Sequence, residues 1–136
     1  MASEAEIFCI DPARVSKFWP YAKDLIRRAL DRTKLGDFDV FEADILAGRQ
    51  LLWLIMGNGL EAAVTTRLSM IGGAPIVTIT ACSGYESSRW LALHEKIERY
   101  ARDQGAKALR IIGRKGWERV LDGYRAQHVI LEKELV

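Results

Sequence analysis

The sequence predicts a single α/β domain whose mixed sheet carries helices on both faces. Three apolar, β-branched runs follow one another between residues 50 and 82, separated by glycine-containing turns, as in an antiparallel meander. A long amphipathic helix pattern precedes this meander, and another joins it to a further strand, as in a βαβ crossover. The 136 residues, of which 49% are hydrophobic, suffice for one core, so we expect one domain over residues 1–136.

The first elements are a short strand, Glu6 to Ile10, and a long helix. Asp11 suits a helix N-cap and Pro12 the first helical position. Apolar residues then recur at spacings of three and four up to Leu30, which predicts one buried helix stripe. Pro20 leaves two alternatives open: the helix kinks there, or a short turn precedes a helix that starts at Pro20.

A second, short helix and the meander follow. Gly48 suits the end of the helix, and the Asn-Gly pair at Asn58 favours a tight hairpin turn. The nearly continuous apolar character of the first meander strand is typical of a strand buried on both faces. The predicted ranges are Phe38 to Ala47 for the helix and Gln50 to Met56, Ala62 to Met70 and Ile76 to Cys82 for the strands.

The last part of the chain reads as helix, strand, short helix and strand. Ser87 or Ser88 caps the long helix, which runs to about Gln104 and ends at Gly105. The remaining predicted elements are a strand from Leu109 to Ile112, a helix from Trp117 to Leu121 and a final strand from His128 to Leu135. The complete predicted order is therefore β-α-α-β-β-β-α-β-α-β.

Composition excludes several classes of protein. A formal net charge of +2 is too small to imply nucleic-acid binding by itself, and the longest strongly apolar run, Leu51 to Gly57, is too short to cross a bilayer. The acidic, polar start of the chain does not resemble a signal peptide. Cys9 and Cys82 both fall in predicted strands, where we expect two free, buried thiols in a reducing cytoplasm.

The element order resembles that of the GNAT family of N-acetyltransferases over nearly the whole chain. A closer resemblance is to small GNAT-like proteins of tailed bacteriophages and prophages. The segments that carry it are Arg89-Trp90-Leu91, Gly113-Arg114-Lys115-Gly116-Trp117 with Arg119-Val120-Leu121, and Val129 to Leu135. It implies a virion-associated or assembly role, with other virion proteins or a second copy of the chain as partners. The implied location is the host cytoplasm or the phage virion.

The GNAT resemblance also implies where a cofactor would lie. In that fold acetyl-CoA sits where the fourth strand splays from the fifth, with its pyrophosphate on the N-terminus of the next helix. The family supplies a Gln/Arg-x-x-Gly-x-Gly/Ala loop there, whereas this chain has Gly84 alone, followed by Tyr85 and Glu86. The remaining weak candidates for cofactor contact are Gly84, Ser87, Ser88 and Arg89. We therefore expect no cofactor, with acetyl-CoA as the alternative.

No residue stands out as catalytic. The helix after the fifth strand lacks the family's Asn, and Tyr124 follows Gly123, where packing is a better explanation than protonation of a thiolate. Two residues were considered as the general base. We expect Glu61 to be a solvated charge at the edge of the sheet and His94 to be a core histidine whose ring is hydrogen-bonded. No cluster has the spacing of metal ligands.

A group of basic residues surrounds the fifth strand and could contact phosphates or an acidic partner. Glu118 and Asp122 dilute it, so nucleic-acid binding is the weakest hypothesis. The leading one is a catalytically degenerate acetyltransferase-fold protein acting through protein contacts, and the alternative is an active N-acetyltransferase with an atypical loop. The basic group comprises Arg110, Arg114, Lys115, Arg119 and Arg125.

Overall fold

A computed structural model describes residues 6–84, 90–113, 117 and 121–135. Its regular elements follow the predicted order as far as the fifth strand. They are β1 (Glu6–Cys9), a 3₁₀ turn (Pro12–Arg14), α1 (Val15–Thr33), α2 (Phe38–Leu46), β2 (Leu51–Gly57), β3 (Gly59–Ile71), β4 (Ala74–Ser83), α3 (Trp90–Asp103) and β5 (Ala108–Ile111).

The five strands form one mixed sheet in the order β1-β2-β3-β4-β5. Strands β1 to β4 are antiparallel neighbours, and β5 lies parallel to β4 after the crossover through α3. This architecture confirms the predicted α/β class, the three-strand meander and the βαβ unit.

The chain enters α1 as its sequence predicts. The Asp11 carboxylate accepts a hydrogen bond from the backbone N–H of Ala13 at 2.9 Å, and Pro12 begins the 3₁₀ turn. Helix α1 then runs without interruption through Pro20, so a helix that starts at Pro20 is wrong.

One apolar layer lies between the sheet and the helices α1 and α2. The Trp19 ring stacks on Phe38 with 6.0 Å between centroids, and its Nε1 donates to the Glu42 carboxylate at 2.7 Å, which ties α1 to α2. The buried members of this layer are Ile10, Val15, Trp19, Ala22, Ile26, Ala29, Leu30, Ile45, Leu52, Leu54, Ala63 and Ala81.

The second apolar layer lies under α3 on the opposite face. Within the sheet Trp53 Nε1 donates to Thr66 Oγ1 at 2.9 Å, so the buried indole keeps a polar partner. Lys96 Nζ, from α3, donates to the backbone carbonyl of Ile7 on β1 at 2.7 Å. The buried members are Trp53, Ile55, Ala62, Val64, Ile79, Trp90, Leu93, Ile97 and Leu121. Helices on both faces are thus confirmed.

The end of the chain departs from the prediction. Residues 128–135 form no strand and are exposed, so the predicted final strand is wrong for the structure of one chain. The pattern of this segment favours a strand, but a strand needs a hydrogen-bonding neighbour, and none pairs with it in the described chain. Of the predicted short helix, Trp117 is helical, and its backbone carbonyl accepts a hydrogen bond from Leu121 N at 3.0 Å. Residues 118–120 lie outside the described residues.

Two further expectations concern the burial of the cysteines and membrane-spanning segments. Both thiols are free, as expected. Cys9 is exposed and Cys82 is half-buried, however, so the expectation that both are buried is wrong. No helix in the described ranges is both long and apolar enough to cross a membrane.

Gly84 ends β4 in close contact with β3. Its φ is +88°, and a Cβ added there would lie 2.2 Å from the backbone oxygen of Glu61 and 2.8 Å from Ala62 Cα. Only a residue without a side chain lets the two backbones approach this closely. The position of the β4 terminus therefore depends on glycine.

We expect Gly84→Ala to lower the free energy of unfolding by about 3 kcal/mol, because a positive φ and a backbone clash act together. Gly73→Ala is the matched control: its φ is +78°, but nothing lies within 4 Å of the added Cβ. The control should lose only about 1 kcal/mol. Urea denaturation measures both, and equal losses would show that the contact with β3 contributes nothing.

Candidate functional site

The pairing of β4 with β5 stops before β4 ends. The last pair in register is Ile79 with Ile111, and the last hydrogen bond joins Ile112 N to the Ile79 carbonyl at 3.0 Å. Strand β4 continues to Ser83, and in the described ranges no strand pairs with this side of residues 80–83. We call the space between residues 80–84 and 112–113 the splay cleft. It opens beyond the carboxyl ends of two parallel strands, where α/β sheets bind ligands.

A β-bulge at Thr80 lies at the entrance to the splay cleft. Thr65 pairs with Ala81 and Thr66 with Ile79, so Thr80 is the additional residue on β4. Side chains of β4 alternate between the two faces of the sheet, and the bulge shifts this alternation by one residue. As a result Ala81 packs in the α1 layer and Cys82 in the α3 layer.

A chain of polar contacts holds the bulge from the α1/α2 face. Thr80 Oγ1 donates to Gln50 Oε1 at 2.5 Å and lies 2.7 Å from Thr65 Oγ1. Gln50 Nε2 in turn lies 3.4 Å from Asp44 Oδ2, on α2. Gln50, Thr65 and Asp44 are all buried, so each depends on these partners for its hydrogen bonds.

Asp44 is paired with two arginines. Arg49 Nε donates to Asp44 Oδ1 at 2.7 Å, and Arg67 Nη2, on β3, contacts Asp44 Oδ2. The hydrogen bond from Arg49 and the charge of Arg67 hold the pKa of the Asp44 carboxyl below its ordinary value, although burial opposes the shift. With two guanidinium groups for one carboxylate, this cluster has a net positive charge.

Two indoles pack together on the α3 side. Trp90, the first residue of α3, is buried, and its ring centroid lies 5.3 Å from that of Trp117. Trp117 covers Gly113, where an added Cβ would lie 2.8 Å from the indole Cδ1 and Nε1. Cys82 from β4 and Ile111 from β5 belong to the same apolar cluster. Burial raises the pKa of the Cys82 thiol, so it stays protonated near neutral pH.

Tyr124 makes a hydrogen bond with His94 on α3. Its Oη lies 2.7 Å from His94 Nε2, and burial raises the pKa of the phenol and lowers the pKa of the imidazole. A cavity of about 320 Å³ adjoins the phenol. It is lined by Glu98, Ala101, Arg102, residues 106–109 and residues 122–124, and it lies beside the first residues of β5 rather than the last. The prediction of a core histidine with a satisfied ring is confirmed.

The predicted cofactor residues fall mostly outside the description. Gly84 borders the splay cleft, and its close approach to β3 already explains a glycine there. The other three candidates, Ser87, Ser88 and Arg89, lie in residues 85–89, which the structure does not describe. Cofactor binding by these residues stays a prediction.

The predicted basic patch is described only in part. Arg110 lies on β5 opposite Thr78 and is half-buried, and Arg125 is exposed. Arg114, Lys115 and Arg119 lie outside the described residues. A joint role for the five residues stays a prediction.

Glu61 differs from its expected environment. It is half-buried, and its Oε2 is fully buried, so the interpretation as a solvated edge charge is wrong. Ile55 pairs with Ala62 and Met56 with Leu60, which makes Glu61 the additional residue of a second bulge. Its backbone oxygen is the atom that approaches Gly84.

Sequence reasoning missed the polar network at the Thr80 bulge. One signal was available: α2 carries Asp44 beside apolar neighbours, and a buried carboxylate requires a cationic partner. Which of the many arginines supplies that partner depends on strand register, and the sequence pattern does not specify it. Among the described residues, no group of three or more His, Cys, Asp or Glu could hold a metal ion.

Comparison with solved structures identifies the fold. A putative acetyl transferase from Pyrococcus furiosus superposes with a TM-score of 0.68 at 17% identity, covering 97% of this chain and 100% of that one. A GNAT family acetyltransferase from Staphylococcus aureus gives 0.63 at 12%, covering 99% and 100%. The aminoglycoside 6'-N-acetyltransferase of Acinetobacter baumannii gives 0.63 at 12%, covering 98% and 99%.

The chain therefore has the GNAT acetyltransferase fold. No protein-family model and no curated protein matches its sequence. At 12–17% identity, the likeness to the solved structures establishes the fold and leaves the activity to be argued from the residues of the site.

We expect Asp44→Asn to lower the free energy of unfolding at pH 7 by about 1.5 kcal/mol, because the carboxylate loses its charge while both arginine partners stay partly exposed to solvent. A carboxyl whose pKa is depressed in the folded state contributes stability above its unfolded pKa, near 3.8, and loses it as the pH falls through the folded value. The difference between the variant and the wild type should therefore shrink in acid.

Denaturation at pH 7 and at pH 3 measures this effect, with Asp24→Asn, at an exposed carboxylate on α1, as the control. The control should change stability by less than about 0.5 kcal/mol at either pH. An Asp44→Asn deficit that is the same at both pH values would mean that the carboxylate charge does not stabilise the fold.

Proposed function

We propose that this chain is a GNAT-fold protein that does not transfer acetyl groups and acts through contacts with other proteins. The observation that carries the proposal is the packing of Trp90 against Trp117 at the splay cleft. Acetyl-CoA binding in this fold requires that the cleft between the fourth and fifth strands stay accessible.

The two indoles are an integral part of the α3 layer. Trp90 is only 6% exposed, and Trp117 rests on Gly113 in a cluster that includes Cys82 and Ile111. A buried aromatic side chain removes a large apolar area from water, so moving both rings to admit a ligand would be costly. This argues that the α3 side of the splay cleft serves packing.

The groups that acetyl transfer needs are also dispersed. Tyr124, the tyrosine nearest the expected acid position, is bonded to His94 and lines the cavity at the start of β5. Burial raises the pKa of its phenol. Residues 80–84 and 112–113 include no tyrosine, and Tyr85 lies outside the described residues.

The biological setting that we propose is a tailed phage or prophage, where the protein would work in the virion or during assembly in the host cytoplasm. The support is the sequence resemblance of residues 89–91, 113–121 and 129–135 to small phage proteins. Mass spectrometry of purified particles tests this setting: recovery of the chain at constant stoichiometry supports it, and its absence from every particle and assembly intermediate contradicts it.

An active N-acetyltransferase is the second candidate, and two observations favour it. Among the described residues no strand pairs with the outer side of residues 80–83, and the backbone of Glu61, whose carboxylate is partly buried, lies against Gly84. Acetyl-CoA would supply a thioester for attack by an amine. Glu61 would accept the proton that the amine releases as the new N–C bond forms and the C–S bond breaks, and the thiolate would leave as CoA.

We expect no saturable heat when the full chain is titrated with acetyl-CoA in a calorimeter, which corresponds to a Kd above about 1 mM. CoA release with a panel of amines and peptides should equal the rate without protein. Because Cys9 is exposed and would react with thiol reagents, Cys9→Ser protein is the appropriate sample for the release assay.

A micromolar Kd would contradict the proposal. Catalysed CoA release would establish the second candidate, provided that Glu61→Gln lowers the rate by at least about 100-fold, as loss of a general base does. Asp24→Asn, at an exposed carboxylate in the middle of α1, is the control for that variant and should leave the rate unchanged.

A further inference from the structure

Two arginines and a threonine lie side by side across three strands of the sheet. Arg67 on β3 pairs with Thr78 on β4, and Thr78 pairs with Arg110 on β5. Directly paired residues of neighbouring strands present their side chains on the same face of a sheet. Because Arg67 contacts Asp44 of α2, that face is the α1/α2 face for all three residues.

The spacing of this row brings both arginines within reach of one group. Neighbouring strands are separated by nearly 5 Å, so the Cα atoms of Arg67 and Arg110 lie about 10 Å apart, with Thr78 between them. Two long side chains that flank a short one can meet above its hydroxyl. The row precedes the last β4–β5 pair, Ile79 with Ile111, and is therefore separate from the splay cleft.

Two members of the row have polar groups without a partner. Thr78 is only 9% exposed, and Arg110 is half-buried. Within the part of the chain that the structure describes, neither the Thr78 hydroxyl nor the Arg110 guanidinium makes a hydrogen bond or an ion pair. Buried hydroxyls normally have a hydrogen-bond partner, and a partly buried cation is stabilised by an anion. Adjacent donors of this kind indicate that an acceptor from outside the chain completes them.

The arginines next to the row also have donors to spare. Asp44 occupies only Nε of Arg49 and Nη2 of Arg67, and the other N–H groups of both have no partner in the described ranges. Their side chains are 58% and 39% exposed, so a ligand can reach them. With Arg110, three guanidinium groups face one carboxylate, which leaves two positive charges uncompensated.

A phosphomonoester group matches these donors and this charge. It carries a charge between −1.5 and −2 at pH 7, and it has three strong acceptor oxygens. Guanidinium groups bind phosphate through pairs of parallel hydrogen bonds, which suits an arginine on each side of the ligand. A carboxylate has two oxygens and a single charge, so it would leave part of the site unsatisfied.

We propose that Arg67, Thr78 and Arg110 form a binding site for a phosphomonoester group, with Arg49 supplying a further positive charge beside it. The phosphate oxygens accept hydrogen bonds from both guanidinium groups and from the Thr78 hydroxyl. This site goes beyond the proposed function, because it requires neither acetyl-CoA nor a virion. The group has two sources, a small phosphorylated molecule and a phosphorylated side chain of a partner protein, which the choice of probe distinguishes.

An NMR titration of the full chain with glycerol 3-phosphate at constant ionic strength tests the proposal. We expect saturable shifts of the backbone amides of Arg67, Thr78 and Arg110, with a Kd of about 1 mM or below. Glycerol and acetate are the control ligands and should give no saturable shift over the same range.

A blocked peptide with a central phosphoserine is the second probe. A Kd at least about tenfold lower than that of glycerol 3-phosphate would assign the site to a phosphorylated segment of a partner protein. An equal or higher Kd would assign it to small phosphorylated molecules. Either result supports a phosphate site.

Variants separate ligand binding from a structural role. Arg110→Gln should raise the Kd by at least about tenfold, because it removes charge-assisted hydrogen bonds, and Thr78→Val should raise it about threefold. Thr78→Val should leave the thermal midpoint unchanged or higher, since the hydroxyl has no partner in the described chain to lose. Arg125→Gln, at an exposed arginine outside the row, is the control and should keep the Kd.

Three outcomes overturn the proposal. The first is the absence of saturable binding of glycerol 3-phosphate. The second is an equal loss of affinity in Arg125→Gln and Arg110→Gln, which would show attraction to the positive charge of the chain in general. The third is a Thr78→Val protein that binds glycerol 3-phosphate with unchanged affinity but unfolds at a lower temperature, which would show that the hydroxyl serves the fold.

Discussion

The register shift at Thr80 is the constraint from which the layout of the site follows. By placing one extra residue on β4, it turns Ala81 towards α1 and Cys82 towards α3, just where β5 stops pairing. The hydroxyl of Thr80 is held by Gln50, which leads to Asp44 and its arginines. A buried polar chain of this kind is stable only when each member keeps its partner, so the bulge and the ion pair depend on each other.

The fold could be predicted from the sequence because its signals are local and periodic. The 3-4 spacing of α1, the Asn-Gly turn at Asn58 and the apolar run of β2 each require one conformation, and the structure has them. The strand pattern after His128 is equally clear, yet one chain does not realise it. The residue pattern of a segment indicates which conformation it prefers. Whether it forms a strand also depends on a neighbouring strand, which the pattern does not identify.

The candidate site was harder to predict because its residues come from different elements. Asp44 and Arg67 are 23 positions apart, and Thr80 reaches Gln50 across 30. Glu61 was considered as a base but placed in solvent, since the bulge that partly buries it has no sequence signature. The GNAT fold fixes where a cleft opens, whereas the side chains around it differ between proteins that share the fold, as Trp117 over Gly113 illustrates.

The contact from Lys96 to the Ile7 carbonyl has a consequence for how the sheet can grow. It occupies an acceptor on the outer side of β1, the strand at the far margin of the sheet from β5. A positive charge at an edge strand disfavours pairing with a further strand there. The two edges of the sheet therefore differ: a lysine from α3 covers an acceptor at β1, whereas the outer side of β5 has no strand neighbour among the described residues.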